Sequence, residues 1–180
     1  EYMKAALHDG MYCMPLAFSF PKDAFARQVE DEVMIGESLL IAPVYEQNAR
    51  GRYVYLPEEM LQVRVNCAEG NRIETSVLPA GHHYIPVALT EVVFFVRKGH
   101  ILPLAKGGRD IQTVADVDFA DLRLFAYAPD GAAYTYYTDD GETKDYDNPA
   151  HFVHITLDAK GTAQSDRAAV KVEAAPAPLG

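Results

Sequence analysis

From Leu39 to Gly99 the sequence is a succession of short apolar runs: "LLIAPVY", "GRYVYLP", "LQVRVNC", "RIETSVL", "HHYIPVAL" and "VVFFVRKG". Turn residues separate most of them. Short runs rich in Val, Ile, Tyr and Phe, recurring at near-regular spacing, are the sequence habit of β-sandwiches and barrels. The expectation is therefore a mainly β chain. In "QVRVNC", Val63 and Val65 alternate with Gln62, Arg64 and Asn66, which predicts one dry face and one wet face. "NARG" carries Asn48 and Gly51, residues that tolerate left-handed backbone, and predicts a hairpin turn between the first two runs.

Upstream of these runs, "EYMKAALHDG" sets Tyr2, Met3, Ala6 and Leu7 at helical spacing ahead of Gly10, a natural C-cap. It reads as the last turns of a helix whose earlier part is missing. "MYCMPLAFSF" has no helical stripe and predicts a strand buried on both faces, with Pro15 at a strand end or a bulge. In "PKDAFARQVEDEVMIG", Pro21 and Asp23 predict a short capped turn before Val33, Met34 and Ile35 lead to Gly36. Further on, Gly99, Pro103, Gly107 and Gly108 mark "RKGHILPLAKGGRD" as a boundary. "DLRLFAYAPDGAAYTYYT" beyond it reads as two strands joined by a turn. "HFVHITLDA" is the last strand candidate, and "KVEAAPAPLG" reads as a fraying end.

Charge narrows the partners. Twenty-six acidic residues against 16 basic ones give a net charge of −10, and the basic residues are scattered. No footprint for a phosphate backbone exists, so nucleic acid is excluded as a partner. No apolar run approaches the roughly 18 residues of a membrane span, and the N-terminus has no signal-peptide pattern. Cys13 and Cys67 are too few for a disulfide framework and read as reduced, buried small hydrophobes. Together these features predict a soluble, cytoplasmic chain.

The residue types that carry chemistry do not assemble into a self-sufficient active site. "TDDGETKDYD" concentrates Asp139, Asp140, Glu142, Asp145 and Asp147, but the acids lack the alternate spacing and terminal Glu of a calcium loop. Asp140-Gly141 reads instead as a solvated turn. His82 and His83 point to opposite faces of a strand, as do His151 and His154, so neither pair chelates. Ser38 in "GES" lacks the second Gly of a nucleophile elbow, and "KGGRD" lacks the ending of a phosphate loop. A glycosidase needs two carboxyls held roughly 5 to 10 Å apart, and acids in hairpin turns show no sign of burial. Tyr134, Tyr136 and Tyr137 in "YTYYT" suggest a sugar-stacking platform, with a strand of cross-strand aromatic pairs as the plainer reading. No metal and no cofactor is expected.

Separated blocks of the sequence nevertheless resemble, in the right order, the C-terminal part of family 31 glycoside hydrolases, the α-glucosidase and α-xylosidase family. "MPLAFSFPKD" is similar to the family's Pro-Leu-Phe strand and its Phe-Pro-Asp ending, through Pro15, Leu16, Phe18, Phe20, Pro21 and Asp23. "MIGESLLIAPVYEQNARGRYVYLP" resembles Gly-Asp-x-Leu-Leu-Val-Ala-Pro-Val followed by Val-Tyr-Leu-Pro, through Gly36, Leu39, Leu40, Ala42, Pro43, Val44 and Val54 to Pro57. "VVFFVRKGHILP" resembles the Val-Phe-Val-Arg-x-Gly-x-Ile-Pro block, and "YYTDDGE" the Tyr-Glu-Asp-Asp-Gly-Glu hairpin. Met14 stands where many members have Arg, Glu37 replaces the common Asp, and "EEMLQVRVNCAEGN" replaces a Trp-rich segment.

The resemblance implies β-sandwich domains following the last strand of a (β/α)8 barrel. Residues 1–37 would end the catalytic barrel, 38–105 would form a proximal C-terminal sandwich and 106–180 a distal β-domain. It implies a retaining enzyme acting on terminal α-linked glucose or xylose, with both catalytic carboxylates on the upstream barrel. The segment by itself would be inactive. Ser19 and Phe20, with Pro21, would lie toward the catalytic face at the end of a barrel strand and border an outer sugar subsite. The implied partners are the upstream barrel and, through the complete enzyme, an oligosaccharide. Self-association stays open. The alternative is a carbohydrate-binding or protein-interaction β-domain.

Overall fold

Strand pairing carries most of the backbone hydrogen bonding in the computed structural model, which describes residues 1–106 and 111–175. The chain divides between Lys98 and Gly99 into two units. The first begins with a short helix α1 (Tyr2–Leu7), strand β1 (Cys13–Pro15), a one-turn helix α2 (Leu16–Ser19) and a 3₁₀ turn (Ala26–Gln28). Strands β2 (Val33–Ile35), β3 (Leu39–Ile41), β4 (Gly51–Leu56), β5 (Met60–Asn66), β6 (Arg72–Leu78), β7 (Gly81–Pro86) and β8 (Glu91–Arg97) follow.

These strands make two layers. The larger is a sheet in the order β1-β2-β3-β8-β5-β6, antiparallel throughout. The smaller is the antiparallel ribbon β4-β7. Met34, Leu40, Met60 and Phe95 from the sheet meet Val54, Leu56 and Ile85 from the ribbon in one core, sealed by Leu16 and Ala26. This is sandwich packing, two apolar faces closed on each other.

Several expectations are corrected here. "MYCMPLAFSF" is a strand only over Cys13–Pro15. Pro15 precedes the turn of α2, in which the Phe20 N–H bonds to the Leu16 carbonyl at 2.8 Å. Leu16 alone of that helix is buried. Helix α1 ends at His8 rather than Gly10, because Asp9 takes the left-handed conformation (φ 52°). No hairpin joins β3 to β4. Asn48 does adopt φ 63°, but Pro43 offers no N–H to extend the ladder, and residues 42–50 carry the chain from one layer to the other. Cys13 and Cys67 are exposed rather than buried. Cys13 lies on the edge strand β1, and Cys67 opens a 3₁₀ turn capped by the Asn66 side-chain oxygen Oδ1. The short turn with Asp23 is as expected: its Oδ1 accepts from the Phe25 and Ala26 N–H groups at 2.8 and 3.1 Å.

In the second unit, strands β9 (Ile101–Ala105), β10 (Asp121–Ala126), β11 (Ala132–Tyr137), β12 (Phe152–Leu157), β13 (Ala163–Ser165) and β14 (Lys171–Ala174) form two three-stranded sheets. One has the order β14-β10-β9, the other β11-β12-β13. Ile101, Leu122 and Leu124 of the first pack with Val153, Ile155 and Leu157 of the second. "ILPLA", read as punctuation, is the strand β9. "DLRLFA" and "AAYTYY" are not hairpin partners, since they belong to opposite sheets, and the Ala128 to Gly131 turn carries the chain between them. "KVEA" does not fray but pairs in parallel with β10, Asp121 opposite Lys171. Residues 107–110, which include Gly107 and Gly108, and residues 176–180 lie outside the described residues.

Candidate functional site

Phe20 is half-buried at the edge of the first core, with the Arg97 guanidinium 4.8 Å from its ring centre. Arg97 is held by both oxygens of Glu58, at 2.7 and 3.4 Å. Ser19 directs its hydroxyl to the Met14 sulfur at 4.0 Å. The two are chain neighbours with packing partners of their own.

The tyrosines of β11 do not form an open platform. Tyr134 and Tyr136 pack on the core of the second unit, and the Tyr136 hydroxyl donates to the Phe119 carbonyl at 3.0 Å. Tyr137 lies on the other strand face, beside His151 and Phe152, and donates to Asp139 at 2.7 Å. Burial and, after it, that bond push its phenol up to about 12. In the acidic loop, Asp140 accepts from the Thr143 hydroxyl and from the Thr143 and Glu142 N–H groups, and these bonds hold its carboxyl at about 2. Asp145 accepts from Asn148 and His151, each at 2.8 Å. The acids thus tie their own turn together. Among the described residues no group of three or more His, Cys, Asp or Glu side chains could hold a metal ion, and no helix is long and apolar enough to cross a membrane.

The densest polar arrangement lies where residues 20–33 meet the ribbon, and sequence reading passed over it. Alternation along β4 turns Val54 and Leu56 inward and leaves Tyr53 and Tyr55 on the outer face, opposite Tyr84 and His82 of β7. Tyr53 and Tyr84 meet edge to face, centroids 5.2 Å apart, and Tyr55 and His82 lie 4.8 Å apart. Phe25 covers the second pair, at 5.6 Å from Tyr55 and 5.3 Å from His82. The first pair stays open: Tyr53 is 71% and Tyr84 54% exposed. The Tyr55 hydroxyl donates to Asp23 Oδ2 at 2.7 Å. Burial and that carboxylate push the phenol up to about 12, while the same bond holds the Asp23 carboxyl below its usual range.

Glu32 is the buried member of this arrangement, 5% exposed. Its Oε1 accepts the Tyr55 N–H at 2.7 Å, while Oε2 has no partner. Arg52 lies 3.9 Å from Glu32 but is spent on Asp31, at 2.7 Å, and on the Asp31 and Pro43 carbonyls. Burial therefore dominates and raises the Glu32 carboxyl to about 7. A carboxyl in that range suits proton transfer, but its sealed position keeps it from a glycosidic oxygen. A charged residue directly before the apolar "VMI" was the sequence signal for it. Beside Arg52 a cleft of about 510 Å³ is lined by Asp31, Tyr45, Glu46, Arg50, Tyr53 and Tyr84 among others.

The pattern of the glycosyl hydrolase family 31 C-terminal domain matches residues 10–102, spanning the six-stranded sheet and the ribbon. The chain belongs to glycosyl hydrolase family 31. It is 31% identical over 154 residues to a 1,6-alpha-glucosyltransferase of Sporosarcina globispora, covering 84% of this chain and 11% of that protein. It is 26% identical over 168 residues to alpha-glucosidase 2 of Bacillus thermoamyloliquefaciens, covering 83% and 19%. A family 31 dextranase of Flavobacterium johnsoniae, solved with glucose, shares the fold at a TM-score of 0.67 and 23% identity, over 87% of this chain and 19% of that one. The chain thus spans less than a fifth of the length of these relatives and corresponds to a C-terminal portion of a family 31 protein. Its mainly β architecture is the one expected for that portion.

Proposed function

We propose that this chain is the C-terminal structural portion of a retaining glycoside hydrolase that removes terminal α-linked glucose, or xylose, from oligosaccharides. Residues 1–37 would end the (β/α)8 barrel, and the β-sandwich regions of 38–105 and 106–180 would brace it. The barrel would supply both catalytic carboxylates. The family match over residues 10–102 carries this reading. The burial of Glu32 supports it, since this carboxyl, raised to about 7, is closed to substrate. Free cysteines at 13 and 67 suit a reducing compartment such as the cytoplasm.

The test is hydrolysis of p-nitrophenyl α-glucoside by the chain alone and after mixing with the upstream barrel. Silence alone and recovery on mixing is the expected result. Turnover by the purified chain alone would overturn the proposal. Ser19 and Phe20 are proposed to border an outer sugar subsite of the complete enzyme. Unchanged kinetics of a full-length Phe20→Ala variant on oligosaccharides of several lengths would remove Phe20 from that role.

A further inference from the structure

We infer that the open end of the β4-β7 ribbon is a second carbohydrate-binding site, which takes a neutral α-linked glucan chain. The inference rests on the proposed function for its choice of sugar. The outer face of the ribbon is an aromatic ladder of two cross-strand pairs, Tyr53–Tyr84 and Tyr55–His82. Phe25 covers only the second. The first would cost less if it too were covered or polar, because exposed rings gain nothing from burial.

The rings form a corner, centroids 5.2 Å apart and planes at 67°. The C–H face of a pyranose can rest on one ring with its edge against the other. A third ring, Tyr45, is 68% exposed and is oriented from two sides: its hydroxyl donates to Asp31 Oδ2 at 3.3 Å, and the Arg52 guanidinium lies 5.7 Å from its centre. The cleft between these rings, about 510 Å³, falls within the roughly 300–1,000 Å³ of small-ligand sites.

The polar lining selects the ligand class. Asp31 and Glu46 can accept hydrogen bonds and Arg50 can donate them. Hydroxyl groups, which do both, match such a mixed rim. A net charge of −10 disfavours an anion, and a purely apolar ligand would desolvate the charged rim. Backbone structure fixes the rings in place. Gly51 starts β4 at φ 152° with its Cα close against β7, so any Cβ there would strike the Ile85 carbonyl. The ladder's register therefore depends on this glycine. Strand geometry presents Tyr53 and Tyr84 without any rearrangement.

The experiment titrates the 180-residue chain with maltoheptaose and, separately, isomaltoheptaose, following tyrosine ring resonances and calorimetric heat. Saturable binding that shifts the Tyr53 and Tyr84 rings is expected. Tyr53→Ala and Tyr84→Ala should each weaken it by about tenfold, with only a small fall in melting temperature from the lost cross-strand pair, and Tyr53→Phe should restore it. No saturation with either oligosaccharide, or equal binding by the alanine variants, would overturn the inference. So would protection of both rings from nitration on adding the upstream barrel, which would assign them to a protein contact. Hydrolysis recovered on mixing without oligosaccharide binding defeats this inference alone. Binding without recovered hydrolysis supports it while defeating the proposed structural role in the hydrolase.

Discussion

Replacing Glu32 by Gln should stabilise the first unit at alkaline pH and change little in acid. The carboxyl titrates near an ordinary value of 4.5 in the unfolded chain and at about 7 in the folded one. Between those values the native state holds a proton that the unfolded state has released, so stability falls as pH rises through the window and stays low above it. At about 1.36 kcal/mol per pH unit, the full cost of ionising Glu32 in place is about 3 kcal/mol, and about 2 kcal/mol once local relaxation is allowed.

Glutamine keeps the oxygen that accepts from the Tyr55 N–H and carries no charge at any pH. Arg52 loses a distant partner at 3.9 Å but keeps Asp31 at 2.7 Å. Urea unfolding of wild-type and Glu32→Gln chains, followed by circular dichroism at about pH 5, 7 and 8.5, reads the difference directly. Asp23 and Asp140, whose carboxyls are depressed, contribute stability that is lost in acid. They are common to both proteins and cancel. A variant less stable than wild type at the alkaline point, or a difference that does not grow with pH, would refute the reasoning and mean that Glu32 is ionised and well solvated in the native chain.

Phe95, 1% exposed in the first core, should cost about 3–5 kcal/mol when cut to Ala, measured as a lowered urea midpoint for the first unit's transition. Tyr55→Phe removes the hydroxyl bonded to Asp23 and should cost about 1 kcal/mol, with the Asp23 carboxyl resonance moving back toward its ordinary titration range. His151 should titrate above the usual imidazole range because Asp145 bonds to it. Its stabilising effect is therefore present in acid and lost as pH rises through the folded-state value. Asp145→Asn should bring the His151 midpoint down in a proton NMR titration.

The strands of the first unit were largely legible because most carry their own apolar run, and the local conformations at Asp23 and Asn48 follow from residue type. What the runs could not show is which strand meets which. β4 reads as the neighbour of β3, yet its apolar face belongs to the opposite layer and its partner β7 comes later in the chain. "DLRLFA" and "AAYTYY" failed as a hairpin for the same reason. Pro103 made β9 look like a boundary, although a proline can sit on an outer strand of a small sheet. Cys13 and Cys67 were judged by the average habits of cysteine, whereas their exposure is decided by an edge strand and a 3₁₀ turn. The Glu32 arrangement is invisible to spacing arguments because its members, Asp23, Glu32, Arg52, Tyr55 and His82, come from three separate segments. Its carboxyl is unusual only once the fold has closed over it.

The parallel pairing of β10 with β14 has a consequence for the order of events during synthesis. Asp121 through Leu124 find their partners at Lys171 through Ala174, so one flank of β10 is bare until the far end of this unit has left the ribosome. A nascent chain halted in the acidic loop would already own β9 and β10 but would show that flank to its neighbours on the polysome. The second unit is therefore expected to complete its fold only once β14 has emerged.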